Sequence, residues 1–323
     1  MNRYARQMVL PQVGPEGQER LSGAQALIVG AGGLGVPALQ YLVGAGVGRV
    51  TLIDGDQVEA TNLHRQPIYA MRQIGRSKAQ AAAAVMAEMN PEVTVRPLVD
   101  WLTPANAPAL VAEADVVLDC ADSFAVSLTL SDACLAVGKP LIAGSALALS
   151  GYAAGCCGGA PSLRAVFPDL PAQGATCATA GVMGPVVGMI GALQAQMALA
   201  SVLGLSPSPL GRLVSLDAAT WRMGGFRFDN ASEPHAPLPF IAASQIDPGD
   251  LLVDLRTEAP HPFRPDARHL PPDQIARLDP PPGARVVLAC RTGLRAHNAG
   301  QILQARWPGR IALLALTDST TRG

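Results

Sequence analysis

The sequence predicts an α/β protein with a mostly parallel sheet in a large first domain and a smaller α/β domain after it. Short apolar runs alternate with helix-like segments through residues 26–228, and the first run enters a glycine-rich turn at residues 30–35. A proline-rich polar stretch at residues 230–239 is followed by a second set of apolar runs. We therefore expect a first domain over residues 1–229, a linker over residues 230–240 and a short second domain over residues 241–323.

The composition indicates a globular protein with a large buried core. Of the 323 residues, 49% are hydrophobic and 15% are charged, and this length suits two domains better than one core. The net charge of −1 gives no reason to expect nucleic acid or an anionic membrane as a partner. A polar N-terminus without an apolar signal core, and six cysteines without C-x-x-C spacing, favour the reducing cytoplasm.

One apolar segment tests this interpretation. Residues 181–205 carry no charge and are long enough to span a bilayer. Gln194, Gln196, Pro185 and five glycines within the segment favour a helix buried in a large α/β protein, with a membrane span as the alternative.

The first strand, turn and helix predict a Rossmann-like nucleotide site. The strand at residues 26–29 enters the turn, a helix runs to about residue 45, and a second strand ends at Asp54. Glycine lets the chain bend sharply and lets a phosphate approach the backbone N–H groups. An acidic residue about twenty positions further on can bind a ribose hydroxyl. Close packing of helix on strand is the alternative reason for the glycines. The candidate ligands here are Gly30, Gly32, Gly33, Gly35 and Asp54.

A polar loop follows the second strand, at the edge of the sheet where open α/β proteins bind ligands. Lys78 then opens an alanine-rich helix that runs to about residue 90. Arginine supplies 22 of the 24 basic residues, so a lysine here suggests a compact ammonium for phosphate oxygens, with chance as the alternative. The candidate ligands of this region are Asp56, Thr61, Asn62, Leu63, His64, Arg65, Gln66 and Lys78.

Asp122 lies just past a buried strand at residues 116–119 and is placed to hold magnesium through its carboxylate oxygens. Capping of the helix that begins near Ala125 is an alternative that is compatible with metal binding. Ser123 is a further candidate nucleotide ligand at the same strand end.

The remaining elements of the first domain follow from apolar runs and turn residues. We expect helices around residues 16–21, 104–112 and 126–137, strands over residues 93–97, 140–143, 151–157, 213–217 and 221–228, and a loop at residues 172–179 that holds Cys177.

The second domain presents a candidate reactive cysteine. Two buried strands are expected over residues 251–254 and 285–289, and Cys290 follows the second one in a loop before a helix from Ala296. Backbone N–H groups of such a loop, together with Arg295, would stabilise a thiolate. A small apolar core residue is the alternative role for Cys290.

These motifs resemble those of the ubiquitin-activating-enzyme-like adenylyltransferases, the family that includes molybdopterin-synthase adenylyltransferase, ThiF and HesA. The resemblance covers residues 3–228, and residues 241–316 are similar to a rhodanese domain. The matching motifs of the first domain are R-Y-x-R-Q at residues 3–7, G-A-G-G-L-G at 30–35, D-G-D at 54–56, N-L-x-R-Q at 62–66, Lys78, D-C-x-D at 119–122 and the apolar run at 180–195. Those of the second are D-L-R at residues 254–256, H-L-P at 269–271 and C-R-x-G-x-R at 290–295.

The resemblance implies an enzyme that uses ATP and magnesium to adenylate the C-terminal glycine of a small ubiquitin-like sulfur-carrier protein, with release of pyrophosphate. Asp54 would hold the ribose. Arg65, Lys78, magnesium on Asp122, and Arg6 supplied by the partner subunit of a homodimer would screen the repulsion between the carboxylate and the triphosphate.

The rhodanese-like tail implies a second step. A persulfide on Cys290, loaded by a donor such as a cysteine desulfurase, would pass sulfur to the carrier as a thiocarboxylate for molybdopterin or thiamine biosynthesis. Cys177 matches a crossover-loop cysteine that links covalently to the carrier in some relatives, and a minor role in the loop is the alternative.

The chain departs from the family pattern in two places. Ser162 and Ala165 stand where relatives carry a C-x-x-C pair for structural zinc, so no zinc is expected, and Cys156 and Cys157 are expected on opposite faces of a strand. The tail beyond Leu316 is short for a rhodanese domain. Adenylation alone, with a degenerate tail, is therefore an alternative.

Two other classes of protein remain open. A nicotinamide-dependent Rossmann oxidoreductase would share the glycine turn and Asp54, but it would not require Asn62, Arg65, Lys78 and Asp122 together. A non-catalytic module that binds the carrier protein would not need this cationic set.

Overall fold

The computed structural model describes residues 2–169, 181–259 and 261–316 of the chain. Its β-strands, numbered within these ranges, are β1 (Gln25–Val29), β2 (Arg49–Ile53), β3 (Thr94–Leu98), β4 (Val116–Asp119), β5 (Pro140–Leu147), β6 (Ser150–Cys157), β7 (Arg212–Asp217), β8 (Arg222–Arg227), β9 (Leu251–Asp254), β10 (Arg268–His269), β11 (Arg285–Cys290) and β12 (Arg310–Ala315). Its α-helices are α1 (Ala5–Met8), α2 (Gly14–Gly23), α3 (Gly35–Ala45), α4 (Lys78–Met89), α5 (Ala107–Glu113), α6 (Phe124–Val137), α7 (Leu163–Val166), α8 (Gly184–Leu203) and α9 (Leu294–Gln304). Short 3-10 helices lie at Ala60–Asn62, Met71–Gln73, Ala243–Gln245 and Pro272–Arg277.

The first sheet has the strand order β3-β2-β1-β4-β5-β6-β7-β8. Strands β3, β2, β1, β4 and β5 run parallel, and β6, β7 and β8 extend the sheet in antiparallel pairs. Val29 at the end of β1 stands beside Ile53 of β2 and Asp119 of β4, so these strands end at one edge of the sheet. We name this the ligand edge, because open parallel sheets bind ligands there. The mostly parallel sheet predicted from the sequence is confirmed.

The second sheet has the order β10-β9-β11-β12, with every pair parallel. One cluster of buried side chains includes Leu128 of α6, Phe240 between the two sheets and Leu313 of β12. The two sheets are therefore joined through apolar packing, and the predicted domain boundaries stay predictions.

Close packing accounts for three of the glycines in the turn after β1. Gly30 has a φ of 98°, and a Cβ there would lie 2.7 Å from the carbonyl oxygen of Cys120. A Cβ at Gly35 would collide with the carbonyl oxygen of Gly30, and one at Gly33 would lie 2.5 Å from Val187 Cγ1. The packing explanation therefore holds at these positions, alongside any role in binding.

Helix α8 is the apolar segment that raised the question of a membrane span. It has 20 residues, which is enough to cross a bilayer, and half of its most apolar window is buried. The fully buried Gln194 donates from Nε2 to the carbonyl oxygens of Asp119, at 2.7 Å, and Ile142, at 3.2 Å. These bonds tie the helix to β4 and β5, which favours the role of a core helix that covers the sheet.

The predicted elements agree with the observed ones to within a few residues. Helix α5 begins at Ala107 rather than residue 104, and β5 continues to Leu147. The prediction for Cys156 and Cys157 is wrong, because β6 ends at Cys157, whose φ of 57° turns the chain. Both thiols are buried in the same apolar cluster.

Candidate active site

Asp54 follows β2 directly and lies at the ligand edge. The residue is 9% exposed, and its Oδ2 accepts a hydrogen bond of 2.6 Å from the N–H of Ala31 in the glycine turn. Its Oδ1 accepts one of 2.7 Å from the N–H of Asp56. Burial raises the pKa of Asp54, while the Ala31 N–H and the Lys78 ammonium oppose that rise. Each carboxylate oxygen has a second lone pair, so the group can still accept a bond from a ribose hydroxyl.

Lys78 is the first residue of α4, and Ser77 caps the helix by accepting a hydrogen bond from Gln80 N–H at 3.4 Å. Its ammonium lies 2.9 Å from Asp56 Oδ2, and its backbone N–H donates to the Asp56 carbonyl oxygen at 2.9 Å. The Lys78 side chain is 8% exposed, whereas that of Asp56 is 51% exposed. The cation is therefore held in place at the ligand edge, and its partner carboxylate faces the solvent.

The loop after β2 is held by its own polar groups. Asn62 is buried and its Oδ1 accepts a hydrogen bond from Glu59 N–H at 3.2 Å, while Thr61 Oγ1 donates to Glu59 Oε2 at 3.1 Å. Leu63 packs against the core. Asn62, Thr61 and Leu63 therefore shape the loop, and any contact that they make with a ligand stays a prediction.

Arg65 and His64 stand at the outer side of this loop. Arg65 Nη1 donates to the carbonyl oxygen of Thr61 at 2.9 Å and lies 3.0 Å from His64 Nε2. Within the described parts of the chain, no ion pair includes Arg65. The guanidinium thus retains donors for an anionic ligand.

Gln66 connects this loop to the glycine turn. It is 2% exposed, and its Oε1 has no hydrogen-bond partner among the described residues. A Cβ at Gly32 would have Gln66 Nε2 as its nearest neighbour at 3.7 Å, an ordinary contact. Packing therefore does not require glycine at position 32. The space beside Gly32 borders the side-chain amide of Gln66, whose oxygen lacks a hydrogen-bond partner among the described residues.

The end of β4 supplies two carboxylates with different surroundings. Asp119 is 1% exposed, and burial raises its pKa to about 6. Asp122, three residues further on, is exposed. Ser123 occupies the N-cap position of α6, so the alternative role of Asp122, as the cap of this helix, is wrong. Asp122 and Ser123 remain candidate ligands at the ligand edge.

Tyr69 is a residue of the site that sequence analysis missed. It is 5% exposed, and its hydroxyl lies 2.9 Å from the carbonyl oxygen of Ala31 and 3.3 Å from that of Lys78. It therefore holds the glycine turn against the start of α4. The signal that could have identified it is its place in the short apolar run at residues 67–71, which follows the polar stretch that ends at Gln66.

Arg6 does not approach the glycine turn of its own chain. Gln7 Nε2 donates to the carbonyl oxygen of Ala45 at 2.8 Å, and Asn90 Nδ2 donates to Tyr4 Oη at 2.9 Å. These contacts place α1 at the C-terminal end of α3. The 11 residues of α3 span roughly 16 Å, so its N-terminal end at the glycine turn is out of reach of Arg6.

Cys290 ends β11 and is 1% exposed. Its Sγ accepts a hydrogen bond of 3.4 Å from the N–H of Ala296. The loop that follows packs against Phe240 and against helix α6 of the first domain. A Cβ at Gly293 would lie 2.6 Å from the ring of Phe240 and 3.2 Å from Ala125 Cβ.

Arg295 is paired with Glu258 at 2.7 Å, and this bond lowers the pKa of Glu258 to about 2. The guanidinium is therefore committed to a carboxylate, and its role toward Cys290 stays a prediction. Cys177 lies outside the described residues.

A parallel sheet with a glycine turn, a buried carboxylate on the next strand and a lysine beside it defines a Rossmann-type α/β protein. The chain belongs to the ThiF family, whose family model matches residues 4–237. The family resemblance stated from the sequence is thereby confirmed.

Two relatives illustrate the match. The chain is 46% identical over 221 residues to "Adenylyltransferase and sulfurtransferase MOCS3" of Bos taurus, an alignment that covers 68% of this chain and 49% of the relative. It is 43% identical over 228 residues to "Sulfur carrier protein adenylyltransferase" of Thermus thermophilus, covering 68% of this chain and 83% of the relative. The chain thus spans about half the length of the MOCS3 relative that it matches.

Solved structures show the same fold. The crystal structure of E. coli MccB with ATP superposes with a TM-score of 0.62 at 21% identity and covers 71% of this chain and 72% of MccB. Crystalline PaaA superposes with a TM-score of 0.59 at 20% identity.

Proposed function

We propose that this chain is an adenylyltransferase that transfers AMP from ATP to the C-terminal glycine of a ubiquitin-like sulfur-carrier protein and releases pyrophosphate. The observation that carries the proposal is the convergence of the Asp54 carboxylate, the glycine turn and the Lys78 ammonium at the ligand edge. The names of the two relatives, both of which include adenylyltransferase, support it.

The nucleotide would lie across the ends of β1 and β2. Asp54 would accept bonds from the ribose hydroxyls, and N–H groups at the start of α3 would donate to the phosphates beside Gly32. The Lys78 ammonium would exchange the Asp56 carboxylate for a phosphate oxygen, since Asp56 is half exposed and can turn to solvent. ATP is therefore the cofactor that this site would accommodate.

The chemistry requires screening of charge rather than a general base, because a terminal glycine carboxylate is already ionised at pH 7. Arg65 and Lys78 supply two cations for that purpose. A magnesium ion would add further positive charge beside these two side chains. The described residues hold no group of three or more His, Cys, Asp or Glu side chains placed for a metal. Asp122 still fits this ion, because magnesium is usually bound through one or two carboxylates together with phosphates and water.

Arg6 would complete the cationic set from a second subunit. Its position at the far end of α3 keeps it from its own glycine turn, while its exposed side chain is free to enter a neighbouring one. A homodimer is therefore part of the proposal. The proposal also places the protein in the cytoplasm.

Sulfur transfer is the second step that we propose, with a rhodanese-like role for residues 241–316. The terminal sulfur of a Cys290 persulfide, loaded by a donor of the cysteine desulfurase kind, would bond to the carrier carbonyl carbon as the bond to AMP breaks. A second thiolate would then attack Cys290 Sγ, so that the S–S bond of the acyl disulfide breaks, a disulfide forms between Cys290 and the second thiol, and the thiocarboxylate leaves for molybdopterin or thiamine biosynthesis. Cys177 would link covalently to the carrier, as the family resemblance implies, with a minor role in its loop as the alternative.

Adenylation alone is the second candidate function. The observation that favours it is the burial of Cys290, since a thiol that is 1% exposed must be uncovered before it can meet a persulfide donor.

Carrier-dependent exchange of labelled pyrophosphate into ATP tests the proposal. We expect exchange with at least one sulfur carrier from the same organism and no hydride transfer from NADH or NADPH. Hydride transfer without exchange would favour the oxidoreductase, and binding of the carrier without either reaction would favour the non-catalytic module.

A further inference from the structure

The carboxyl edges of the two sheets meet at the start of α6. Ser123 is the N-cap residue of this helix and lies at the ligand edge of the first sheet. In the second sheet, Cys290 at the end of β11 stands beside Ala315 at the end of β12. Gly293, in the loop after Cys290, faces the first turn of α6, because a Cβ at Gly293 would lie 3.2 Å from Ala125 Cβ. The loop that carries Cys290 therefore lies against the helix whose start belongs to the candidate adenylation site.

The Cys290 loop is fixed in this place by its own chain. Gly293 has a φ of 82°, and a Cβ there would lie 2.6 Å from the ring of Phe240. The segment that holds Phe240 is bound to β12, since Leu313 N–H donates to the Pro239 carbonyl oxygen at 2.8 Å. The loop is thus enclosed between Phe240 and α6 of the same chain.

The route from the ligand edge to Cys290 is short. Asp122 precedes Ala125 by three residues, and Cys290 precedes Gly293 by three residues. The Cα atoms of Asp122 and Cys290 therefore lie within about 28 Å of each other even with both segments fully extended. Two reacting groups that are tethered over a short span meet at an effective concentration in the millimolar range. The Cys290 of a separate chain, at the usual micromolar concentrations, would meet the same site far less often.

A cavity of about 70 Å³ lies between the two edges. Ser123 and Thr129 of α6 line one side, and Ala242 and Ala315 line the side of the second sheet. Among the described residues that line the cavity, none is charged. One water molecule needs about 10–15 Å³ of such volume, so the cavity has room for a short stretch of backbone without side chains. A terminal glycine meets this requirement once its carboxylate has become an uncharged acyl group.

We propose that sulfur transfer takes place within one chain, and that the terminal glycine of the adenylated carrier reaches Cys290 of the same subunit through this cavity. The inference rests on the proposed function and deepens its second step. The terminal sulfur of the Cys290 persulfide forms a bond to the carrier carbonyl carbon, the C–O bond to AMP breaks, and AMP leaves with the electron pair. The Cys290 loop has to shift toward the cavity for this step, since Cys290 is 1% exposed. The cavity then keeps water from the acyl group.

Complementation between two variants tests the proposal. Lys78→Met lacks the ammonium of the adenylation site and keeps Cys290, whereas Cys290→Ala keeps the adenylation site and lacks the relay thiol. Both full-length chains are coexpressed in equal amounts, and carrier thiocarboxylate is measured by mass spectrometry with ATP, magnesium, a persulfide donor and a thiol. We expect the mixture to form no more thiocarboxylate than the two variants measured singly, because no chain holds both groups.

The matched control carries the same two substitutions on one chain. Wild type coexpressed with the double variant Lys78→Met/Cys290→Ala should give about half of the wild-type rate, because half of the chains are intact. Transfer between the subunits of a dimer would instead give about a quarter of the wild-type rate in both mixtures, since half of the randomly assembled dimers hold one chain of each kind.

A variant that fills the cavity tests the route itself. We expect Ala242→Phe to lower thiocarboxylate formation about tenfold or more, because its ring occupies the space that the terminal glycine needs. Ala305→Phe, at the exposed C-cap of α9, adds the same ring to the second domain outside the cavity and is the control.

Three results would overturn the inference. About a quarter of the wild-type rate in both mixtures shows transfer between subunits and leaves the proposed function intact. Thiocarboxylate formed at the wild-type rate by a folded Ala242→Phe variant, checked by its urea unfolding midpoint, removes the cavity from the route. Absence of carrier-dependent pyrophosphate exchange in the wild type removes the proposed function and this inference together.

Discussion

The ammonium of Lys78 lies 2.9 Å from the Asp56 carboxylate, on a side chain that is almost buried while its partner is half exposed. This asymmetry means that an incoming anion can replace Asp56 without moving the lysine. The cation is in place before the ligand arrives, which lowers the cost of organising the site.

Replacement of Lys78 should therefore reduce catalysis severely. We expect Lys78→Met to lower carrier-dependent ATP–pyrophosphate exchange by about a hundredfold or more, and Lys78→Arg not to restore it, because a guanidinium does not fit a site shaped for an ammonium. Lys139 is the other lysine of the chain, and Lys139→Met is the control. Exchange within about threefold of the wild type in Lys78→Met would contradict this role.

Asp122 should be required for the response to magnesium. We expect Asp122→Asn to lower exchange about a hundredfold at a magnesium concentration that saturates the wild type, with an unchanged unfolding midpoint, since the side chain is exposed. Glu88→Gln, an exposed carboxylate change on α4, is the control. If exchange is unchanged in Asp122→Asn, this residue has no part in the mechanism.

The buried carboxyl of Asp119 should make stability depend on pH. Burial raises its pKa from 3.8 to about 6 in the folded state. The folded protein therefore binds more protons than the unfolded chain between about pH 4 and pH 6, and the contribution of Asp119 to the free energy of unfolding falls as pH rises through that window. The total fall is about 3 kcal/mol at most.

Asp119→Asn does not titrate, so its stability relative to the wild type should increase between about pH 4 and pH 6 and then stay constant. Urea unfolding at several pH values measures this difference. A difference that is the same at every pH would show that Asp119 has an ordinary pKa in the folded protein.

The burial of Cys290 leads to a prediction about the sulfur relay. We expect Cys290→Ala to abolish formation of carrier thiocarboxylate from a persulfide donor and to leave ATP–pyrophosphate exchange unchanged, because β11 contributes nothing to the ligand edge of the first sheet. Cys177→Ala should weaken the transfer only in part. Thiocarboxylate formed at the wild-type rate by Cys290→Ala would favour adenylation alone.

A buried contact fastens the segment in which Ser162 and Ala165 stand at the positions of the zinc-binding pair that the family resemblance implies. Ser162 is 1% exposed, its N–H donates to Glu233 Oε1 at 2.6 Å, and its hydroxyl donates to Glu233 Oε2 at 2.5 Å. Ser162→Ala should lower the free energy of unfolding by about 1–3 kcal/mol, because it leaves a carboxylate oxygen without its donor. Ser208→Ala, in an exposed loop, is the control for urea unfolding. No loss of stability would show that the carboxylate finds another partner.

The sequence predicted those parts of the fold and site that depend on residues close together in the chain. The alternation of apolar runs and helices fixed β1, β2 and β4, and strand ends placed Asp54 and Asp122 at one edge because parallel strands share their direction. The resemblance to a known family supplied the loop after β2, which has no periodic pattern of its own.

Contacts between distant segments were not predictable from the sequence. Tyr69 and Gln194 donate to carbonyl oxygens of residues 38 and 75 positions away, and a local sequence pattern does not identify such distant partners. The place of Arg6 at the far end of α3 depends on how α1 packs, which the motif alone does not state.

The bond between Ser162 and Glu233 joins residues 71 positions apart using only groups that the chain itself carries. Where a metal ion holds two segments of a protein together, those segments fold only when the ion is bound. Here we expect the segment around Ser162 to fold equally well in the presence of chelators and at low cellular zinc. Newly made chains would therefore fold even during zinc starvation.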